Sequence, residues 1–188
     1  MVIDALTVAS EVEFRLAAAK IFDRQRLSEL SGRSVILTKG SFDIVHAGHL
    51  ALISYCSRLR NAHESGALVV IVESDASMRH RKGKARPIQD ESLRALQIAL
   101  QPMVDAVLTS DYADLGKLIQ EIKLICYVKG MDTAVNTRNL ANTPNLTLDL
   151  KRNPEMSLPH ASCKIVVFTD NGEISTSALI EKIKTPTN

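Results

Sequence analysis

The feature that most limits how this chain can fold is a series of short, continuously apolar runs separated by segments of helical period. The runs are Ser34 to Leu37 (SVIL), Leu68 to Val72 (LVVIV), Ala106 to Leu108, Leu124 to Val128 (LICYV) and Ile165 to Phe168 (IVVF). They are rich in β-branched residues and do not alternate apolar with polar positions, which is the pattern of strands covered on both faces. Between them, Leu50 to Leu59, Glu91 to Leu100, Leu115 to Ile122 and Ser177 to Ile183 carry apolar residues at helical spacing. Strand and helix therefore alternate, which predicts a Rossmann-like, doubly wound α/β fold: a parallel sheet of about five strands with helices on both faces. Right-handed crossovers would gather the loops after the strands along one edge, where ligands of such sheets bind.

Ahead of the first run, Val8, Val12, Leu16, Ala19 and Phe22 recur at steps of three or four, and Gly32 closes the stretch. Residues 1–32 are accordingly read as a helical N-terminal extension and residues 33–188 as the domain. A length of 188 residues suits one core of ordinary size. With 45% hydrophobic and 23% charged residues, disordered and fibrous chains are excluded. Aromatics are only 4%, with no Trp, so packing must come from Leu, Ile, Val and Ala, and platforms for stacking single-stranded bases are scarce.

The net charge of +2, from 23 basic and 21 acidic residues, carries no electrostatic footprint for nucleic acid or an anionic membrane. Cys56, Cys126 and Cys163 form no CxxC pair and are read as reduced thiols of a cytoplasmic protein. No apolar run reaches the roughly 18 residues of a membrane span. Asp4 and Glu11 stand where a secretory leader would carry basic residues. A long irregular stretch, Thr133 to Ser162, is rich in Asn, Thr and Pro; loops of that length are more often functional than idle.

Chemistry-bearing residues concentrate after the first run, in Thr38 to Leu50 (TKGSFDIVHAGHL). Gly40 permits a tight turn and close approach of a ligand to the backbone. His46 and His49, three apart at the start of the next helix, would share one face there. Two imidazoles, free N–H groups and the positive end of a helix dipole together suit phosphate. A surface coincidence and half of a metal site are the alternatives on these residues alone; a third local ligand is lacking. Asp43 reads as a helix cap, a brace for the turn or a cation ligand, and Phe42, Ile44 and Val45 as packing residues.

GSFDIVHAGHL resembles the GxFDxxHxGH signature of the cytidylyltransferase-like nucleotidyltransferases. These enzymes move a nucleoside monophosphate from a triphosphate to a phosphorylated small molecule and release pyrophosphate. Three further segments are similar to that family, in its order. Arg79, Arg81, Lys82, Lys84 and Arg86, which otherwise read as a solvated basic loop, resemble the family's SD…KG…RP segment. Val128 to Asp132 (VKGMD) resembles its VKGGD segment, and Ile174 to Ile183 its IST(S/T)xxIxKI segment. The resemblance runs from about Lys20 to Lys184 and implies catalytic roles for His46, His49 and Lys82. It further implies nucleotide contacts from Lys39, Gly40, Ser41, Phe42, Gly48, Lys129, Gly130, Asp132, Ser175, Thr176 and Ser177. Acceptor contacts fall to Asp43, Lys82, Arg86 and Arg94.

Within the family the likeness is strongest to the heptose 1-phosphate adenylyltransferase branch: KIFDRQRLSEL before the first strand, HAGH, SDAS, KGxxRP, VDAV and VKGxD. The resemblance thus implies AMP transfer from ATP to a sugar phosphate. The alternatives are a cytidylyltransferase acting from CTP on glycerol 3-phosphate or an amino-alcohol phosphate, and a nucleotide-binding domain without catalysis. Magnesium held mainly by nucleotide phosphates is the expected cofactor, with no protein metal site, and a homodimer the suggested assembly. Four positions depart from the pattern: Ser92 replaces the usual Glu, Glu73 the Asn of NSD, and Met131 and Thr133 the residues of KGGDY.

Overall fold

The computed structural model describes residues 2–111, 114–130, 163–168 and 176–184. Helix α1 (Val2–Ala19) leads into a two-residue strand β1 (Ile21–Phe22) and a 3-10 turn (Gln25–Leu30). Strand β2 (Ser34–Gly40), helix α2 (Ala47–Asn61), strand β3 (Gly66–Glu73) and helices α3 (Asp75–Lys82) and α4 (Glu91–Ala99) follow. Then come β4 (Ala106–Ser110), α5 (Leu115–Gln120), β5 (Leu124–Gly130), β6 (Lys164–Phe168) and α6 (Thr176–Lys184). The strands form one parallel six-stranded sheet in the order β1-β4-β3-β2-β5-β6. The Rossmann-like α/β class read from the apolar runs is therefore the observed one.

All eight residues of β3 are buried, because the sheet is covered on both sides. Alternate residues divide between two cores. Val35, Leu37, Val69 and Ile71 face Leu27, Leu30, Leu118 and Ile119, while Ile36, Leu68, Val70 and Val72 face Leu52, Ile53, Ala95 and Ile98.

The sheet has six strands where about five were expected, and part of the stretch read as an N-terminal extension packs with it. The first helix ends at Ala19 because Ile21 and Phe22, a β-branched and an aromatic residue, pair with Val107 and Leu108 at the border of the sheet. Arg26 fastens this turn, donating to the Ala19 carbonyl at 2.9 Å with its guanidinium 4.0 Å from the centre of the Phe22 ring. Leu27 and Leu30 then bury themselves in the same core as Val35 and Ile122. Ile21, Phe22, Leu27 and Leu30 thus pair or pack with the sheet.

The segment Asp75 to Lys82, read as a basic loop, is a helix. Ser74 caps it, its hydroxyl accepting from the Ser77 N–H at 3.1 Å, and its basic last turn complements the helix dipole. That cap and the charge placement were the available signals; the near absence of an apolar stripe hid them. The long stretch 133–162 lies outside the described residues.

If residues 21–30 are core, Leu27→Ala should cost about 2–5 kcal/mol in urea unfolding. Leu93→Ala, at a position 45% exposed, should stay within about 0.5 kcal/mol.

Candidate active site

The chain runs outward from β2 through β3 to β4, then crosses back to lay β5 on the other side of β2. The order reverses between β2 and β5, so their following loops diverge and leave a crevice at the carboxyl edge. Thr38 pairs with Val128, and its hydroxyl donates to the Val128 carbonyl at 2.9 Å. The same register brings Lys39 and Lys129, both buried, to the ends of neighbouring strands, followed by Gly40 and Gly130. Both lysines follow Leu37 and Tyr127 on one face of the sheet, and the Lys129 ammonium lies 5.7 Å from the centre of the Tyr127 ring.

The loop after β2 is set by Phe42, whose φ of 49° is one of the left-handed values that a non-glycine residue seldom adopts. Its ring folds back over Gly40, where a Cβ would stand 2.9 Å from the ring. Glycine at position 40 thus makes room for an aromatic ring of the protein itself. Phe42, expected from the resemblance to touch the nucleotide, has its ring buried in the core, edge-on to His49 at 5.1 Å.

His46 is the N-cap of α2 and makes no side-chain cap bond. Its imidazole stacks on that of His49 at 3.8 Å with 25° between the planes, so both lie at the amino end of the helix beside Gly48. Burial pushes the His49 imidazole down to about 4, with His46 and Lys82 adding to the shift and the Ile44 backbone opposing it. At neutral pH His49 is therefore uncharged and has an N–H to donate. Thr176, the first residue of α6, donates its hydroxyl to the Ile44 carbonyl at 3.4 Å, which brings the start of that helix against the same loop. Asp132, Ser175 and the side chain of Ser177 lie outside the described residues.

Lys82 ends α3 and donates to the Ser41 hydroxyl at 3.2 Å. Loss of water on its protein side lowers its pKa, Arg81 and Arg86 lower it further, and Glu73 and Asp43 partly restore it.

The remaining expected acceptor residues are engaged within the protein. One oxygen of Asp43 accepts from the Ile88 and Gln89 N–H groups at 2.7 and 3.0 Å, and the other meets Arg86 Nε at 2.7 Å. The pair ties the loop after α3 to the loop after β2. Arg94 is fully buried and donates to the Gln89 and Ser41 carbonyls and, at 2.7 Å, to Asp75. Asp75 thus gives the buried Arg94 guanidinium a carboxylate partner although position 92 is Ser. Glu91, one place away, accepts from the Asp75 N–H at 2.7 Å and seats α3 on α4. As they stand, Asp43 and Arg94 shape the site from behind.

The five-residue basic cluster is correspondingly less cationic than its sequence suggests. Arg79 pairs with Asp75, Arg81 with Glu73 and Arg86 with Asp43. Asp75 and Arg79 stand at the i,i+4 spacing of a helical pair, whereas spacing pointed to neither Glu73 nor Asp43, which come from β3 and the loop after β2. Among the described residues no group of three or more His, Cys, Asp or Glu is arranged to hold a metal ion. Likewise, no described helix is long and apolar enough to cross a membrane.

Fold and site together define an α/β domain of the nucleotidyltransferase type. The chain belongs to the cytidylyltransferase-like family, whose model matches residues 37–182. Among curated proteins it is similar to the bifunctional protein HldE of Koribacter versatilis, 35% identical over 140 residues, covering 71% of this chain and 27% of the relative. It is 30% identical over 172 residues to HldE of Photorhabdus laumondii, covering 92% and 31%. The chain thus spans less than a third of either relative. Among solved structures it resembles a lipopolysaccharide core biosynthesis protein of Thermoplasma volcanium, with TM-score 0.52 and 27% identity over 73% of this chain and 97% of that one. A pantoate-beta-alanine ligase of Francisella tularensis, 12% identical with TM-score 0.52, covering 87% of this chain and 76% of that one, shares the fold.

Because His49 loses its proton well below the ordinary value of 6.5 when folded, the unfolded chain binds more protons between about 6.5 and about 4. This contribution to stability is present above pH 6.5 and is lost as the pH falls through that window, at up to about 1.4 kcal/mol per pH unit. Urea midpoints should fall accordingly on acidification, and the fall should be shallower in His49→Gln.

Proposed function

We propose that this domain transfers a nucleoside monophosphate, AMP from ATP, to a sugar phosphate of the heptose 1-phosphate kind and releases pyrophosphate. The observation that carries the reading is the stacked His46–His49 pair at the amino end of α2, set at the sheet's switch point beside Lys82. The HldE relatives and the heptose-branch motifs support the choice of acceptor. The buried Arg94 keeps a carboxylate partner in Asp75 although Ser92 replaces the usual Glu, which favours a competent site over a domain that only binds.

An acceptor phosphate oxygen attacks the α-phosphorus in line with the departing pyrophosphate. That nucleophile is already ionised at neutral pH, so no general base is needed, and catalysis is positioning plus charge stabilisation. His46 and His49 donate hydrogen bonds to phosphate oxygens that gain charge in the transition state. The neutral imidazole of His49 suits this task, since it donates a hydrogen bond without giving up its proton. Lys39 and Lys129 add positive charge at the ends of the two central strands, and the start of α6 closes one side of the crevice. Lys82 stands at the mouth, where acceptor and nucleotide phosphates must approach each other against their mutual repulsion. Magnesium would add charge neutralisation on the leaving pyrophosphate, held chiefly by phosphate oxygens and water.

Pyrophosphate release from ATP and CTP, each against heptose 1-phosphate, glycerol 3-phosphate and an amino-alcohol phosphate, tests the reading. Release with ATP and the sugar phosphate is expected; preference for CTP and a polyol or amino-alcohol phosphate would move the domain to the cytidylyltransferase reading. His49→Ala should then lower kcat by roughly 10²-fold or more, the scale for losing one transition-state donor. Turnover near the unmodified level would sink the mechanism.

A further inference from the structure

Glu73 closes β3 with a carboxylate only 1% exposed, yet the transfer chemistry makes no use of it. A buried charge at the edge of a phosphate site is costly and unhelpful unless it is fully engaged. Here both oxygens are. Oε1 accepts from Ser77 Oγ and Arg81 Nε, each at 3.1 Å. Oε2 accepts from Ser41 Oγ at 2.9 Å and from the second arm of Arg81.

The Ser41 bond has a direction. A serine hydroxyl carries one proton, and a carboxylate can only accept, so Ser41 must give that proton to Glu73. Its oxygen is then left as an acceptor, and it receives Lys82 Nζ and Arg81 Nη2, each at 3.2 Å. We infer that Glu73 is a positioning residue that polarises Ser41 and clamps Arg81, thereby fixing a charged Lys82 at the mouth of the crevice. This deepens the proposed function and rests on it for the role of Lys82, while the arrangement itself is independent of any substrate.

Five groups face Lys82 from different elements: Glu73 on β3, Asp43 after β2, Arg81 on α3, Arg86 after α3 and His49 on α2. Glu73 and Asp43 favour its charged form; Arg81 and Arg86 oppose it. Removing Glu73 and removing Arg81 should therefore move the Lys82 titration in opposite directions, which mere loosening of α3 would not do.

The test is competitive acetylation of Lys82 with acetic anhydride in the whole chain, from about pH 7 to about pH 11, read by peptide mass spectrometry. In Glu73→Gln the midpoint should fall by roughly one pH unit, and in Arg81→Gln it should rise by about half a unit. Glu73→Asp, which keeps the charge, should remain near the unmodified midpoint. An unchanged midpoint in a folded Glu73→Gln, or shifts of one sign in both variants, overturns the inference. Should Glu73→Gln not fold, Arg81→Gln decides, because that side chain is exposed: absence of a rise is the refuting result. Pyrophosphate release provides the second readout, with the alkaline limb of kcat moving to lower pH in Glu73→Gln and kcat falling more than KM changes. No release by the unmodified chain with any acceptor would refute the proposed function and leave the labelling result standing.

Discussion

When β5 pairs with β2 instead of extending the sheet beyond β4, the loops that follow the two central strands must part, and a crevice opens where they do. That pairing makes the opening at which the site is built. It puts Lys39 beside Lys129, points the loop after β2 and the start of α2 at the same opening, and leaves room for α6 to reach the Ile44 carbonyl. The pairing is held by apolar burial on both faces, with Val35, Ile36 and Leu37 all fully buried, so the site inherits the rigidity of the core.

Around that crevice, the carboxylates of Asp43, Glu73 and Asp75 sort the positive charges. Each engages an arginine, Arg86, Arg81 and Arg94 respectively, and in doing so joins two different elements or loops. Arginine suits these positions because its planar fork can satisfy two or three acceptors at once, as Arg94 does with Gln89, Ser41 and Asp75. Lys82, a compact charge on a flexible stem, remains toward solvent. The arrangement separates cations that build the walls from cations that can meet a phosphate.

The parallel sheet could be read from SVIL, LVVIV, LICYV and IVVF because a strand buried on both faces has no polar alternation to disguise it. The HxGH pair could likewise be located from spacing, since three residues bring side chains to one face of a helix. Strand β1 and helix α3 were not legible. Ile21 and Phe22 form a strand only because Val107 and Leu108 are there to pair with, and α3 is stabilised by its Ser74 cap and by its charges rather than by an apolar stripe. Phe42 and Gly40 show the same limit at the site, for nothing local says that the glycine is needed for a ring two residues later.

By itself, the sequence determined the alternation of buried strands and helices, the place of the histidine pair after the first central strand, and the family signature, all of which depend on contacts within a few residues. Tertiary structure decided which basic residues are free to act. Five cations crowd between Arg79 and Arg86, but Arg79, Arg81 and Arg86 are paired to carboxylates, two of them from other elements, and Arg94 is sealed in the core by Asp75. Charge is a property of residues, whereas its availability depends on what burial and long-range pairing place beside it.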